Sequence, residues 1–237
     1  MVAARLFDKP EGWSDTNVGY LDSHMSDLSR ENVVIFHVGA NTGQELEKFW
    51  QFFNSGKIYC FEANPSCIPL LEEEIEKNRV IWESFGRNFE VEAINVAICR
   101  GKTDTVDLYR NLEKYGDAHQ SATIMPKDRD YSKKLESRNH HHEESVSVKA
   151  MSIDQFSKNN GIEHIDLLWA DVEGAQGEML LGAKNKLPEI DYIFIEWTPL
   201  WGGWNLFEIE DFLKEDFIKI AKIDQDAIFK NRRLPQS

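Results

Sequence analysis

The apolar positions change period several times along the chain, and each change marks an element. From Val33 to Val38, five of six residues are apolar and mostly β-branched or aromatic, the pattern of a strand buried on both faces. The run stops at Gly39-Ala40-Asn41-Thr42-Gly43 and resumes as Leu46, Phe49, Trp50 and Phe53 at helical spacing. The expected unit is a strand, a tight turn and a helix whose first amides point back over the strand end. A second strand, Ile58 to Phe61, ends in Glu62, and Pro65-Ser66 then opens a helix predicted over 65–79, with Ile68, Leu71 and Ile75 inward. Phe89 to Ile98 reads as a third strand leading through Asn95, and Thr103 to Tyr109 alternates as an added, half-exposed strand does.

Periodicity then fades. Residues 111–145 are polar and hold Gly116, Pro126 and His140-His141-His142, so a long inserted loop is expected, of the kind that covers a site or stays disordered. Three adjacent histidines do not share one face, which favours an exposed loop over a metal site. The pattern returns at Val146, Val148 and Ala150, followed by a short helix with Ile153 and Phe156. Ile165 to Ala170 is a fourth core strand stopped by Asp171-Val172-Glu173-Gly174; Glu178 to Leu187 is helical up to Pro188. Ile190 to Ile195 is a fifth strand, ending in Glu196-Trp197. After a helix through Phe212 and Leu213, Phe217–Ile223 and Ala227–Lys230 predict an antiparallel hairpin at the sheet edge. A dehydrogenase sheet would continue with parallel units instead. The class is therefore α/β, a Rossmann-like sheet of the methyltransferase type with helices on both faces. Residues 1–32 read as an N-terminal extension packed over the domain or its substrate entrance, and 33–237 as a single domain.

Composition adds limits. The chain has 237 residues and a formal net charge of −14, with acids spread along it, which argues against a nucleic-acid partner. Cys60, Cys67 and Cys99 stand singly, in neither a disulfide framework nor a metal-ligand spacing. Neither a signal peptide nor a membrane-length apolar stretch is visible, so the expectation is a cytoplasmic protein that does not bind membrane.

Chemistry enters at the glycine turn. Glycines let the backbone approach a ligand closely, and a helix start offers free N–H groups. About twenty residues on, Glu62 at the tip of the next strand is placed to accept hydrogen bonds from the two hydroxyls of a ribose. Strand, turn, helix, strand and acid together describe a nucleoside pocket.

Here the chain resembles the FkbM-type methyltransferases, of the class I S-adenosylmethionine-dependent superfamily. The resemblance rests on His37-Val38-Gly39-Ala40-Asn41-Thr42-Gly43, Phe61-Glu62-Ala63-Asn64-Pro65, Asn95-Val96-Ala97-Ile98, Ser152-Ile153-Asp154-Gln155-Phe156 and the stretch from Ile165 to Ala175 containing Asp171-Val172-Glu173-Gly174. It implies a seven-stranded sheet with the final strand antiparallel, and S-adenosylmethionine as cofactor, leaving as S-adenosylhomocysteine. By the same resemblance Gly39, Asn41 and Gly43 line its methionine portion, with His37 and Asn64 in the flanking motif positions. Glu62 holds the ribose, Asn95 to Ala97 border the adenine, and Asp171 and Glu173 face the sulfonium and the acceptor. The family usually has an acid at 37, a lysine at 169 and a glutamate at 176, where this chain has His37, Trp169 and Gln176.

Methyl transfer to a hydroxyl requires alignment and removal of a proton. Asp171 and Glu173 are the first candidate bases, His119 in the long loop the second; a divalent metal that lowers the hydroxyl pKa is an unsupported alternative. Asp171 as a helix cap and His119 as an exposed loop residue are the competing structural readings. Trp197, Trp201 and Trp204 form either an aromatic wall for a ring-bearing acceptor or part of the core. The expected activity is O-methylation of a small hydroxylated metabolite or sugar, a small-molecule or glycan acceptor. A non-catalytic cofactor-binding protein acting through a partner is the alternative, and a NAD-linked oxidoreductase comes third.

Overall fold

The computed structural model describes residues 19–110, 122–125, 144–197 and 203–235. Among these residues ten strands are formed: β1 (Val33–Val38), β2 (Ser55–Glu62), β3 (Asn88–Asn95), β4 (Ala97–Ile98), β5 (Thr105–Arg110), β6 (Glu144–Met151), β7 (Ile165–Ala170), β8 (Ile190–Glu196), β9 (Phe217–Ile223) and β10 (Asp226–Asn231). Seven of them make one sheet in the order β3-β2-β1-β7-β8-β10-β9. β10 runs antiparallel to both β8 and β9, and the other pairings are parallel. The predicted hairpin is therefore present, but its second strand is inserted inside the sheet and β9 forms the edge.

Strand alternation divides the core in two. Phe36 and Val38 of β1, Leu168 and Ala170 of β7, and Ile193 and Ile195 of β8 face one layer. It is closed by α4 (Ile153–Asn160), α5 (Gln176–Gly182) and α6 (Leu206–Leu213). Phe36 sits edge-on to Tyr59, Phe61 and Phe156, and burying an aromatic of this size stabilises by roughly 1.5–3 kcal/mol. Ile35, Trp169 and Phe194 face the other layer, under α1 (Gly19–His24), α2 (Leu46–Phe52) and α3 (Ile68–Ser84). Residues 19–32 of the expected extension pack here. Leu21 and Met25 are fully buried, Asp27 binds Tyr192 and Lys230, and Arg30 binds the Phe52 carbonyl. Those partners put the segment toward the sheet end remote from the β1 glycine turn, not over an entrance.

Several boundaries differ from the sequence reading for local reasons. Asn64 closes a turn, its side chain accepting from the Ser66 amide and its carbonyl from Cys67, so Pro65 and Ser66 precede α3 instead of opening it. The third strand divides after Asn95, and Ala97-Ile98 pairs with β6 in a second sheet of order β4-β6-β5. The helix expected up to Leu187 stops at Gly182; Pro188 sits inside the 3-10 turn Leu187–Glu189, at a position where proline lacks only an N–H that would be free anyway. Asp171 caps nothing, since α5 begins five residues later with Ala175 at its N-cap.

Candidate active site

The turn after β1 is held by the neighbouring strands. Gly39 and Ala40 donate to the Phe61 carbonyl at 2.9 and 3.0 Å, and the Asp171 amide donates to Val38 at 2.9 Å. Gly39 has φ +82°, and a Cβ there would stand 1.7 Å from the Asp171 carbonyl oxygen, so this crossing of β1 and β7 admits glycine alone. Asn41 (φ +47°) and Glu173 (φ +43°) also hold the left-handed region, a conformation non-glycine residues keep only where surroundings impose it.

Glu62 is fixed by that geometry. One carboxylate oxygen takes the Asn41 amide at 2.8 Å, and the other takes the Asn64 amide at 2.6 Å. With the residue 8% exposed, burial pushes its pKa up, opposed by those two amides and reinforced by the charge of Asp171. Each oxygen keeps a lone pair for a further donor.

Beside Glu62 opens a cavity that is partly open to solvent. Gly39, Asn41, Glu62, Asp171 and Glu173 stand along it. Its apolar walls come from Val96, Ala97 and Ile98, and from Leu108 and Ile124 of the second sheet and the inserted segment. The part of the 111–145 loop that is described thus reaches the cavity. Thr123 pairs with Tyr109, and its hydroxyl donates to the Glu173 carbonyl at 2.7 Å, tying the segment to the turn after β7.

Other predicted residues stand elsewhere. His37 has the same strand parity as Ile35, so it points into the second core, edge-on to Phe49, 3.6 Å from a Glu45 oxygen and wholly buried. Neither ring nitrogen has a hydrogen-bond partner; burial pulls its pKa down to about 4, with Glu45 opposing, so the ring is neutral. Gly43 turns toward Leu46 and Leu71, and a Cβ would meet both at 3.0 Å. Asn95 staples β3 to β2 through the carbonyls of Glu62 and Ala63. Asn64 is buried and reaches the site through its amide alone. His119, the three consecutive histidines and Trp201 lie outside the described residues. Trp204 packs against Gly177 and Phe212, and Trp197 lies at the rim of the first core beneath Lys222. Neither lines the cavity.

Register reveals a feature the motifs did not. Ala170 pairs with Ile195, so Asp171 and Glu196 are the next positions on adjacent strands, and Glu196 pairs with Asp226. Three carboxylates therefore stand in one row across β7, β8 and β10, about 4.8 Å per strand. Glu196 carried the same signal as Glu62 and Asp171, an acid ending an apolar run. Asp171 opens to solvent while crowded by these groups. Burial, the hydrogen bond with Glu196 and the charges of Glu196 and Glu45 raise its pKa well above the usual carboxylate range; Lys48 opposes. Glu173 is pushed up to about 7 by burial and by Asp171, and Asp226 to about 6 by burial and the same neighbour. Trp169, stacked on Phe194 at 3.7 Å between ring centres, carries the Lys48 ammonium 5.3 Å above its ring.

Separately, His164, Asp166 and Asp191 bring three ligand atoms within 4.8 Å of one another at the opposite end of β7 and β8. Their carboxylates are already engaged, Asp166 by the Val34 amide and Asp191 by Arg233. Among the described residues no helix is long and apolar enough to cross a membrane.

The sheet order and the acid-tipped second strand beside a glycine turn define an α/β nucleoside-binding fold of the methyltransferase type. The sequence profile described as the methyltransferase FkbM domain matches residues 37–222, and the chain belongs to that family. The 2-O-methyltransferase NoeI of Sinorhizobium fredii (strain NBRC 101917 / NGR234) is 25% identical over 179 residues, covering 72% of this chain and 65% of the relative. The crystal structure of methyltransferase FkbM from Methylobacillus flagellatus KT superposes with a TM-score of 0.50 at 11% identity, covering 84% of this chain and 43% of the other. This chain therefore spans less than two thirds of the first relative's length and under half of the second's.

Proposed function

We propose that the chain is an S-adenosylmethionine-dependent methyltransferase that methylates a hydroxyl of a small metabolite or sugar. The observation that carries the reading is Glu62, whose two oxygens are aligned by backbone amides at the wall of a cavity with both apolar and acidic sides, and still accept further hydrogen bonds. The residues fit the cofactor: a vicinal diol supplies the donors this buried carboxylate lacks, and Val96, Ile98, Leu108 and Ile124 suit a flat base. When bound, S-adenosylmethionine supplies a methyl group on a cationic sulfur, activated for in-line attack.

The chain's own part is positioning and proton removal. Glu62 orients the ribose, and the turn from Gly39 to Asn41 borders the remainder of the cofactor. Asp171 and Glu173 line the same cavity as Glu62, and their raised pKa values suit bases working near neutral pH. The name of the rhizobial relative, a 2-O-methyltransferase, supports oxygen as the acceptor atom. The carboxylates around Asp171 favour uncharged or cationic acceptors over phosphorylated ones. Calorimetric titration with S-adenosylmethionine and S-adenosylhomocysteine tests the reading. Micromolar binding is expected, and absence of binding at millimolar ligand would overturn it.

A further inference from the structure

Glu196 has no part in the cavity wall, yet the strand register sets it beside Asp171. Its geometry is set by the backbone. β7 and β8 are in parallel register up to Ala170 and Ile195, and the antiparallel pairing of Glu196 with Asp226 fixes the far side of the row. The Trp197 amide, donating to the Gln225 carbonyl at 2.8 Å, secures the end of β8.

We propose that Glu196 is a positioning residue for Asp171, holding its carboxyl toward the acceptor and sharing the proton that Asp171 removes. The inference rests on the methyltransferase reading. In the step, the acceptor O–H bond breaks and its proton passes to Asp171. The oxygen forms a bond to the methyl carbon as the methyl–sulfur bond breaks, leaving a neutral thioether. The proton is then held between Asp171 and Glu196, so the pair goes from two negative charges to one, and loss of that proton to water resets it.

An isolated aspartate, with a pKa of about 3.9, is a weak base for a hydroxyl. Beside Glu196, the first proton taken up relieves the repulsion of two adjacent anions, which makes Asp171 a stronger base near neutral pH. Glu45 acts on Asp171 in the same direction, and the like charges of Glu173, Asp226 and Glu62, each of which Asp171 raises, do so by reciprocity. Lys48, on α2, is the opposing cation.

The test is Glu196→Gln in the full chain, read three ways: carbon-NMR titration of the side-chain carboxyls, calorimetry with S-adenosylhomocysteine, and the pH profile of methyl transfer to a panel of monosaccharides. Gln keeps the size and a hydrogen-bond donor but removes the charge. Asp171 is expected to titrate lower by about one pH unit or more, a tenfold change in proton affinity. The acid limb of kcat should move down in parallel, with cofactor affinity within twofold of wild type. An Asp171 titration independent of residue 196 overturns the proposal, and so does a shifted titration with an unmoved acid limb. Failure of wild-type protein to bind S-adenosylhomocysteine, with the carboxyl titration as expected, would instead overturn the methyltransferase reading.

Discussion

Glu62 and His37 show how little a residue's identity says before its direction is known. Both belong to motifs around the glycine turn, but Glu62 ends its strand beside the cavity and His37 faces the opposite core. Glu62→Ala removes the only carboxylate held by two amides in the cavity wall among the described residues. S-adenosylhomocysteine affinity is expected to fall about 10- to 100-fold in calorimetry, as loss of charged hydrogen bonds worth about 1.5–3 kcal/mol implies. Unchanged affinity would remove it from the ribose site. Strand parity was available in the sequence: His37 is two residues from Ile35, and assigning Ile35 to the layer under α1 to α3 assigns His37 with it. Which face carries the cavity was not available, because that depends on where the second sheet folds back.

At the scale of elements, the crossing of β1 and β7 is the most exacting contact. A Cβ at Gly39 would stand 1.7 Å from the Asp171 carbonyl in a backbone conformation that already favours glycine. Gly39→Ala is expected to push the strand ends apart, lowering the unfolding free energy by more than about 2 kcal/mol and abolishing cofactor binding; denaturant melts and calorimetry check both. Trp169 gives the complementary case. Its ring stacks on Phe194 in the second core, so Trp169→Lys, the residue usual in the family, buries a charge among aromatics. A loss of at least about 3 kcal/mol in urea unfolding is expected. The strands themselves were legible, since β-branched and aromatic runs bounded by turns have few other outcomes. The division of the third strand at Asn95 was not: Val96 to Ile98 is as apolar as what precedes it, and partner choice alone sends it to β6.

For the whole molecule, charge and pH are coupled. Glu173, raised from 4.5 to about 7, and Asp226, raised from 3.8 to about 6, hold protons more tightly folded than unfolded, so their contribution to stability declines as pH rises through those windows. His37, lowered from 6.5 to about 4, has the opposite sign: the unfolded chain takes up its proton first, and stability is lost as pH falls from 6.5. His37→Phe keeps the edge contact with Phe49 and removes this opposing term. Thermal melts of that variant should decline from about pH 5 to 7, and wild type should be flatter below about pH 6.5. With a net charge of −14, added salt should raise the melting temperature of the wild type by screening self-repulsion. A melting temperature insensitive to salt would mean that repulsion is not felt in the folded state.

The sequence by itself determined the α/β class, the strand-turn-helix around Gly39, the acid at the tip of the second strand and the family motifs. These are local: they follow from periodicity, turn chemistry and short spacings. Tertiary structure alone decided that Ile98, Leu108 and Ile124 enclose the cavity, that His37 and Gly43 turn away from it, and that Asp171, Glu196 and Asp226 form one row. Their positions depend on register between strands distant in the chain. A shift of one residue would send each side chain to the opposite face, and only the packed sheet rules that shift out.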